Sequence, residues 1–85
     1  MTDLAERFEQ AARDAHDLED RPDNDTLLML YAYYKQGREG DVSGERPGFF
    51  DFVGAAKYEA WEKLAGMEKN EAKQKYVDLV ESLKY

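Results

Sequence analysis

The sequence contains no cysteine, a single histidine, a single tryptophan and only two prolines. Without cysteine there is neither a disulfide framework nor a thiolate metal site, which suits a reducing interior. One histidine and no paired carboxylate pattern leave no zinc or calcium signature; no metal or cofactor is expected. No apolar run approaches the length of a bilayer span, and the opening MTDLAERFEQ lacks the charged-then-apolar pattern of a signal peptide. The expected location is therefore cytoplasmic, without stable membrane insertion. A basic excess is missing too. The formal net charge is −7 over 85 residues, which argues against a nucleic-acid partner, since duplexes require a broad cationic face.

What is present is a soluble, foldable composition, 42% hydrophobic and 36% charged. The length fits one domain spanning residues 1–85, with a modest core. The charge is uneven. Residues 1–25 hold nine acids against Arg7, Arg13 and Arg21, whereas residues 26–66 hold six acids and five bases. A small anionic ligand is thus compatible with the near-neutral middle.

Leu4, Phe8, Ala11, Ala15 and Leu18 recur at spacings of four and three, the stripe of an amphipathic helix. Thr2 suits its N-cap, and Arg21-Pro22 stops it, because the residue before proline avoids the helical region. Asp23, Asn24 and Asp25 offer caps for a second helix through Leu27, Leu28, Leu30, Tyr31 and Tyr34, weakened at Gly37 and ended at Gly40. A third helix is expected from about Gly54 to Ala65, closed by Gly66, with Trp61 in the core and a Glu59–Lys63 pair outside. A fourth runs from near Glu68 to about Lys84. Nothing alternates like a strand. The fold class is all-α, a bundle of four helices.

One connection is anomalous. Antiparallel neighbouring helices usually need two to eight linking residues, yet Gly40 to Val53 is far longer. At ~3.3 Å per residue it spans over 40 Å, enough to return along a whole helix. The connection can therefore be a long crossover that leaves the second and third helices running the same way. Pro47-Gly48 suits the centre of a type II turn, and Phe49, Phe50 and Phe52 are expected to anchor the crossover's far end on the core.

Few residues carry obvious chemistry. Tyr31, Tyr34 and Lys35 share one helical face with Leu27, and Lys57-Tyr58 repeats the pairing. Such a face suits an aromatic base with phosphates. Spacing alone, however, favours tyrosines buried in the core with lysines extending to water. The glycines of residues 37–44 match neither a P-loop nor a dinucleotide fingerprint. His16, with only Ser43 and Ser82 as hydroxyl candidates of that type, makes a poor triad. No catalytic constellation emerges.

Taken in order, LYAYYKQ (30–36), GD (40–41), ERPGFFDF (45–52), GAAKYEAW (54–61) and KYVDLVESLKY (75–85) resemble the acyl-CoA-binding protein family. The resemblance implies an up-down-down-up four-helix bundle that binds one medium- to long-chain acyl-CoA thioester without altering it. It implies that Tyr31, Tyr34, Lys35 and Lys57 surround the adenine and 3′-phosphate, and that Tyr76 also touches CoA. Leu27 and Leu28 match apolar positions bordering the ligand, and Ala12 a small residue near it. Two positions depart from the family pattern. Tyr58 stands where tryptophan is most common, and His16 where a lysine often helps hold the phosphates. The implied role is a monomeric, non-enzymatic carrier, meeting donor and acceptor membranes or enzymes only transiently. Two other classes remain at this level: a helical module whose Tyr/Lys face docks a partner protein, and an enzyme acting on CoA esters.

Overall fold

The computed structural model describes residues 3–84, which hold four helices and no strand: α1 (Leu4–His16), α2 (Asn24–Glu39), α3 (Phe52–Glu62) and α4 (Lys69–Leu83). Thr2, the expected first cap, lies outside the described residues. Asp3 performs that role, its carboxylate accepting from the Glu6 N–H at 2.8 Å. Helix α1 ends at His16, short of Leu18 and well before Pro22, so proline shapes the α1–α2 connection rather than breaking the helix. Asp23 caps α2 through the Thr26 N–H at 2.8 Å, and Gly40 terminates it at φ 87°, a conformation costly for any residue with a Cβ. Helix α3 starts two residues earlier than expected because the Asp51 carboxylate accepts from the Gly54 N–H at 2.9 Å. It also closes earlier, at Glu62, the chain turning through 63–66 with Gly66 at φ 92°.

Side-chain contacts set the directions. Asp14, late in α1, meets Lys84, just past the end of α4, at 2.7 Å, and Phe8, early in α1, lies under Lys73, early in α4, so α1 and α4 are parallel. Helix α2 is antiparallel to both, its late residues Tyr34 and Gly37 meeting Phe8 and Lys73. Trp61 of α3 donates its indole N–H to the Gly40 carbonyl at the end of α2, while Lys57 lies over Tyr31 a turn or more earlier. Helices α2 and α3 are therefore parallel, and the topology is up-down-down-up. The core is Phe8, Ala11, Leu30, Tyr76, Val77 and Val80, from α1, α2 and α4. Gly37 belongs to this packing rather than merely weakening its helix. A Cβ there would stand 3.2 Å from the Lys73 backbone nitrogen and 3.3 Å from the Phe8 ring.

The ends of α2 and α3 are locked together by polar bonds. The Gln36 amide, fully buried, donates to Asp41 Oδ1 at 2.9 Å and to the Met67 carbonyl at 2.8 Å. The same Asp41 oxygen accepts from the Gly66 N–H at 2.8 Å. These donors hold the Asp41 carboxyl below its usual range, the Gly66 N–H first and the Gln36 amide second.

The crossover corrects two expectations. Gly48 has no positive φ, so no type II turn forms at Pro47-Gly48; the chain turns over Phe49-Phe50 instead, with the Asp51 N–H donating to the Gly48 carbonyl at 3.0 Å. Nor do the phenylalanines anchor in the core: Phe49, Phe50 and Phe52 are 85%, 84% and 72% exposed. Arg46 does the anchoring. Its guanidinium pairs with Glu59, lies 3.8 Å from Glu62 and sits over the Tyr58 ring. Glu59 is thereby drawn to the crossover instead of to Lys63.

Candidate functional site

Three clefts run into one another along the flank formed by α1, α2, α3 and α4, making a single trench. The widest, about 820 Å³, lies between the first turns of α2 and α3, lined by Leu27, Leu28, Phe52, Val53 and Ala56, with Lys57, Arg21 and Asn24 on its margin. Its wall is predominantly apolar. His16 and Tyr31 belong both to it and to a middle cleft of about 250 Å³, completed by Ala12, Leu30, Tyr34 and Tyr76. Ala12 and Tyr34 in turn lead into a third cleft of about 410 Å³ that includes Phe8, Arg13, Arg38 and Lys73.

The middle is built on an aromatic triangle. Phe8 stacks on Tyr34 with centroids 5.3 Å apart, meets Tyr76 edge-on at 5.3 Å, and the two tyrosines are 5.6 Å apart. Three helices contribute one ring each: Phe8 and Tyr76 are buried in the core, while Tyr34 and Tyr76 also line the middle cleft. The rings pack inward while their edges form the trench floor. Burial, and secondarily the neighbouring Tyr34, pushes the Tyr76 phenol up to about 12. It is thus a neutral hydroxyl throughout the physiological range, able to donate as well as accept.

The lysines cross. Lys57 of α3 lies over Tyr31 of α2 at 5.3 Å, and Lys35 of α2 lies over Trp61 of α3 at 4.9 Å. Because the helices are parallel, Lys35 is late in one and Lys57 early in the other. Each reaches across the seam to an aromatic of the partner helix, a placement cations favour over an aromatic face. Lys35 also pairs with Glu39, whose carboxyl it holds below the usual range.

Of the residues singled out from sequence, Ala12, His16, Leu27, Leu28, Tyr31, Tyr34, Lys57 and Tyr76 line the trench. Lys35 and Tyr58 do not. The first lies on the α2–α3 seam over Trp61 and the second under Arg46. Phe52, Val53 and Ala56 were not anticipated as lining; the sequence placed Phe52 in the core. Arg13, Arg38 and Lys73 were also missed, although each stands three positions from a residue that was not, a spacing legible on a helix. Among the described residues no group of His, Cys, Asp or Glu is placed to hold a metal ion, and no helix is long and apolar enough to cross a membrane.

The fold and trench define a class: a four-helix bundle carrying a lateral groove that is apolar at one end, phenolic in the middle and cationic at the other. Comparison with known proteins is specific. Residues 5–80 match the family model described as acyl CoA binding protein. Acyl-CoA-binding protein homolog 1 of Caenorhabditis elegans is 46% identical over 76 residues, covering 89% of this chain and 88% of that one. Enoyl-CoA delta isomerase 2 of Rattus norvegicus is 47% identical over 76 residues, which cover 89% of this chain but 19% of the isomerase. The crystal structure of Oryza sativa Acyl-CoA-Binding Protein 2 superposes with a TM-score of 0.90 at 38% identity, covering 95% of this chain and 90% of that one. The chain belongs to the acyl-CoA-binding protein family.

Proposed function

We propose that this protein reversibly binds one long-chain acyl-CoA thioester, shielding its tail from water and buffering its free concentration in the cytoplasm as a monomer. The observation that carries this reading is the continuity of an apolar cleft with a phenol-lined, lysine-bearing one, on a chain of this family. The tail lies against Leu27, Leu28, Val53 and Ala56. Tyr31, Tyr34 and Tyr76 offer ring faces and hydroxyls to the nucleotide, with Ala12 leaving room for it and His16 at the junction. Lys57 reaches the phosphates as a charge-assisted partner. Lys35 joins it by leaving Glu39, its i,i+4 partner in a partly exposed pair of modest strength. Tyr58, under Arg46, helps hold the crossover against α3 beside Lys57.

Each CH₂ removed from water contributes ~0.8 kcal/mol. A sixteen-carbon chain gives an upper bound of about 12 kcal/mol, reduced by incomplete burial and by chain ordering. The tail therefore dominates affinity and the head supplies specificity. The non-enzymatic role is supported by the family match and by relatives named as acyl-CoA-binding proteins. Family membership favours ligand binding over the docking of a partner protein on the Tyr/Lys face.

Calorimetric titration with palmitoyl-CoA, free CoA and palmitate tests the reading. The ester is expected to bind one to one, at least about a hundredfold tighter than free CoA, given the apolar contribution per buried CH₂. It is also expected to be recovered intact. An ester that binds no better than free CoA, or that is consumed, would overturn the proposal.

A further inference from the structure

Three cations outside the residues implied by the family resemblance converge on the third cleft. Arg13 comes from α1, Arg38 from α2 and Lys73 from α4, with Glu9 the one acid on the lining. The Arg38 guanidinium carbon lies 6.0 Å from the Tyr34 ring centre, and the Lys73 ammonium 5.7 Å from that of Phe8. Arg13 donates to the Gln10 side-chain oxygen at 2.8 Å. Lys35, Arg46 and Lys84 each hold a carboxylate, but these three form no salt bridge among the described residues. Two of them are held over rings, on the same aromatic floor that the middle cleft uses.

Their positions share a pattern. Arg13 precedes His16 by three residues, Arg38 follows Lys35 by three, and Lys73 precedes Tyr76 by three. Three residues are close to one helical turn, ~5 Å of rise. Because α2 is antiparallel to α1 and α4, all three steps point toward the same end of the bundle. The cations therefore prolong the trench beyond Tyr34 and Tyr76 instead of decorating a separate face.

We propose that Arg13, Arg38 and Lys73 form a second phosphate grip in the trench, taking one phosphate centre of the nucleotide whose other phosphate centre lies at Lys57. The inference rests on the function proposed above. CoA carries a 3′-phosphate and a 5′-pyrophosphate on one ribose, and the trench carries a cationic group on either side of its tyrosines. Two arginine forks and an ammonium suit a phosphate's several oxygens better than a single carboxylate. Their convergence from three helices on one cleft concentrates the positive potential locally despite the acidic whole, although Arg13 and Arg38 are themselves exposed.

The experiment compares wild type, Arg38→Gln/Lys73→Gln and Arg13→Gln by calorimetry with palmitoyl-CoA and with its 3′-dephospho analogue, at two salt concentrations. Thermal melts confirm that each variant is folded. The double variant is expected to bind palmitoyl-CoA about tenfold more weakly or worse, the loss of charge-assisted hydrogen bonds, and with a shallower salt dependence. Arg38→Glu should weaken binding further. If the grip holds the 3′-phosphate, the substitutions leave binding of the dephospho analogue unchanged; if it holds the pyrophosphate, binding of both esters falls together. Unchanged affinity and salt dependence toward palmitoyl-CoA in the folded double variant would overturn this inference alone. Failure of the wild type to bind would instead remove the function on which it rests.

Discussion

The two ends of the α2–α3 pair are built by opposite means. At the late end, Trp61, Gln36, Asp41, Gly66 and Met67 are tied by hydrogen bonds of 2.8–2.9 Å, with Gln36 fully buried. At the early end, no comparable bond joins the helices among the described residues, and Phe52 and Val53 stand exposed at the rim of the widest cleft. Parallel helices held at one end and left apart at the other form a wedge. The closed end positions α3; the open end holds the apolar cleft proposed above for the ligand's tail. The bonds that fix α3 and the apolar cleft thus stand at opposite ends of one seam, so the cleft can remain uncovered without removing those bonds.

The sharpest way to break this comparison is at the closed end. Trp61→Ala removes a buried ring and the indole bond to Gly40, and a loss of about 3–5 kcal/mol in urea unfolding is expected. A loss below about 1 kcal/mol would show that the seam is held elsewhere. Gln36→Ala is expected to cost somewhat less, about 2–3 kcal/mol, since it deletes two buried hydrogen bonds and a smaller volume. The Asp41 carboxyl gives a third handle. Its donors lower its pKa below 3.8, so its contribution is present above that value and lost as pH falls through the lowered folded value. Wild type should therefore exceed Asp41→Ala in thermal stability at neutral pH, and the gap should narrow in acid below pH 3.8. The smallest effect is expected at the open end: Phe49→Ser/Phe50→Ser should change stability by less than about 0.5 kcal/mol per site. A large loss there would mean the crossover is anchored by its rings after all.

Much of the architecture was legible because its causes are local. Asp23 and Gly40 bound α2 through interactions within four positions, and the length of the crossover left room for α3 to run parallel to α2, as the family resemblance implied. The ordered segments from LYAYYKQ to KYVDLVESLKY marked the family, and eight of the ten residues they and their spacing singled out meet in the trench. The misreadings concern residues whose partners lie far along the chain. Phe49 and Phe50 read as core anchors because they are large and apolar; Arg46 reached Glu59 and Tyr58 first, and the core was already filled by α1, α2 and α4.

The sequence by itself determined the helices, their order, a connection long enough for α3 to return parallel to α2, and the residue types that line the trench. Only the tertiary structure decided that Lys35 and Lys57 cross to aromatics on each other's helix, that Lys35 and Tyr58 stand outside the trench, and that Arg13, Arg38 and Lys73 gather at its far end. A helix dictates which side chains share its face. Which faces meet, and at what splay, depends on how the whole core and the Gln36–Asp41–Trp61 junction close, and no local pattern encodes that.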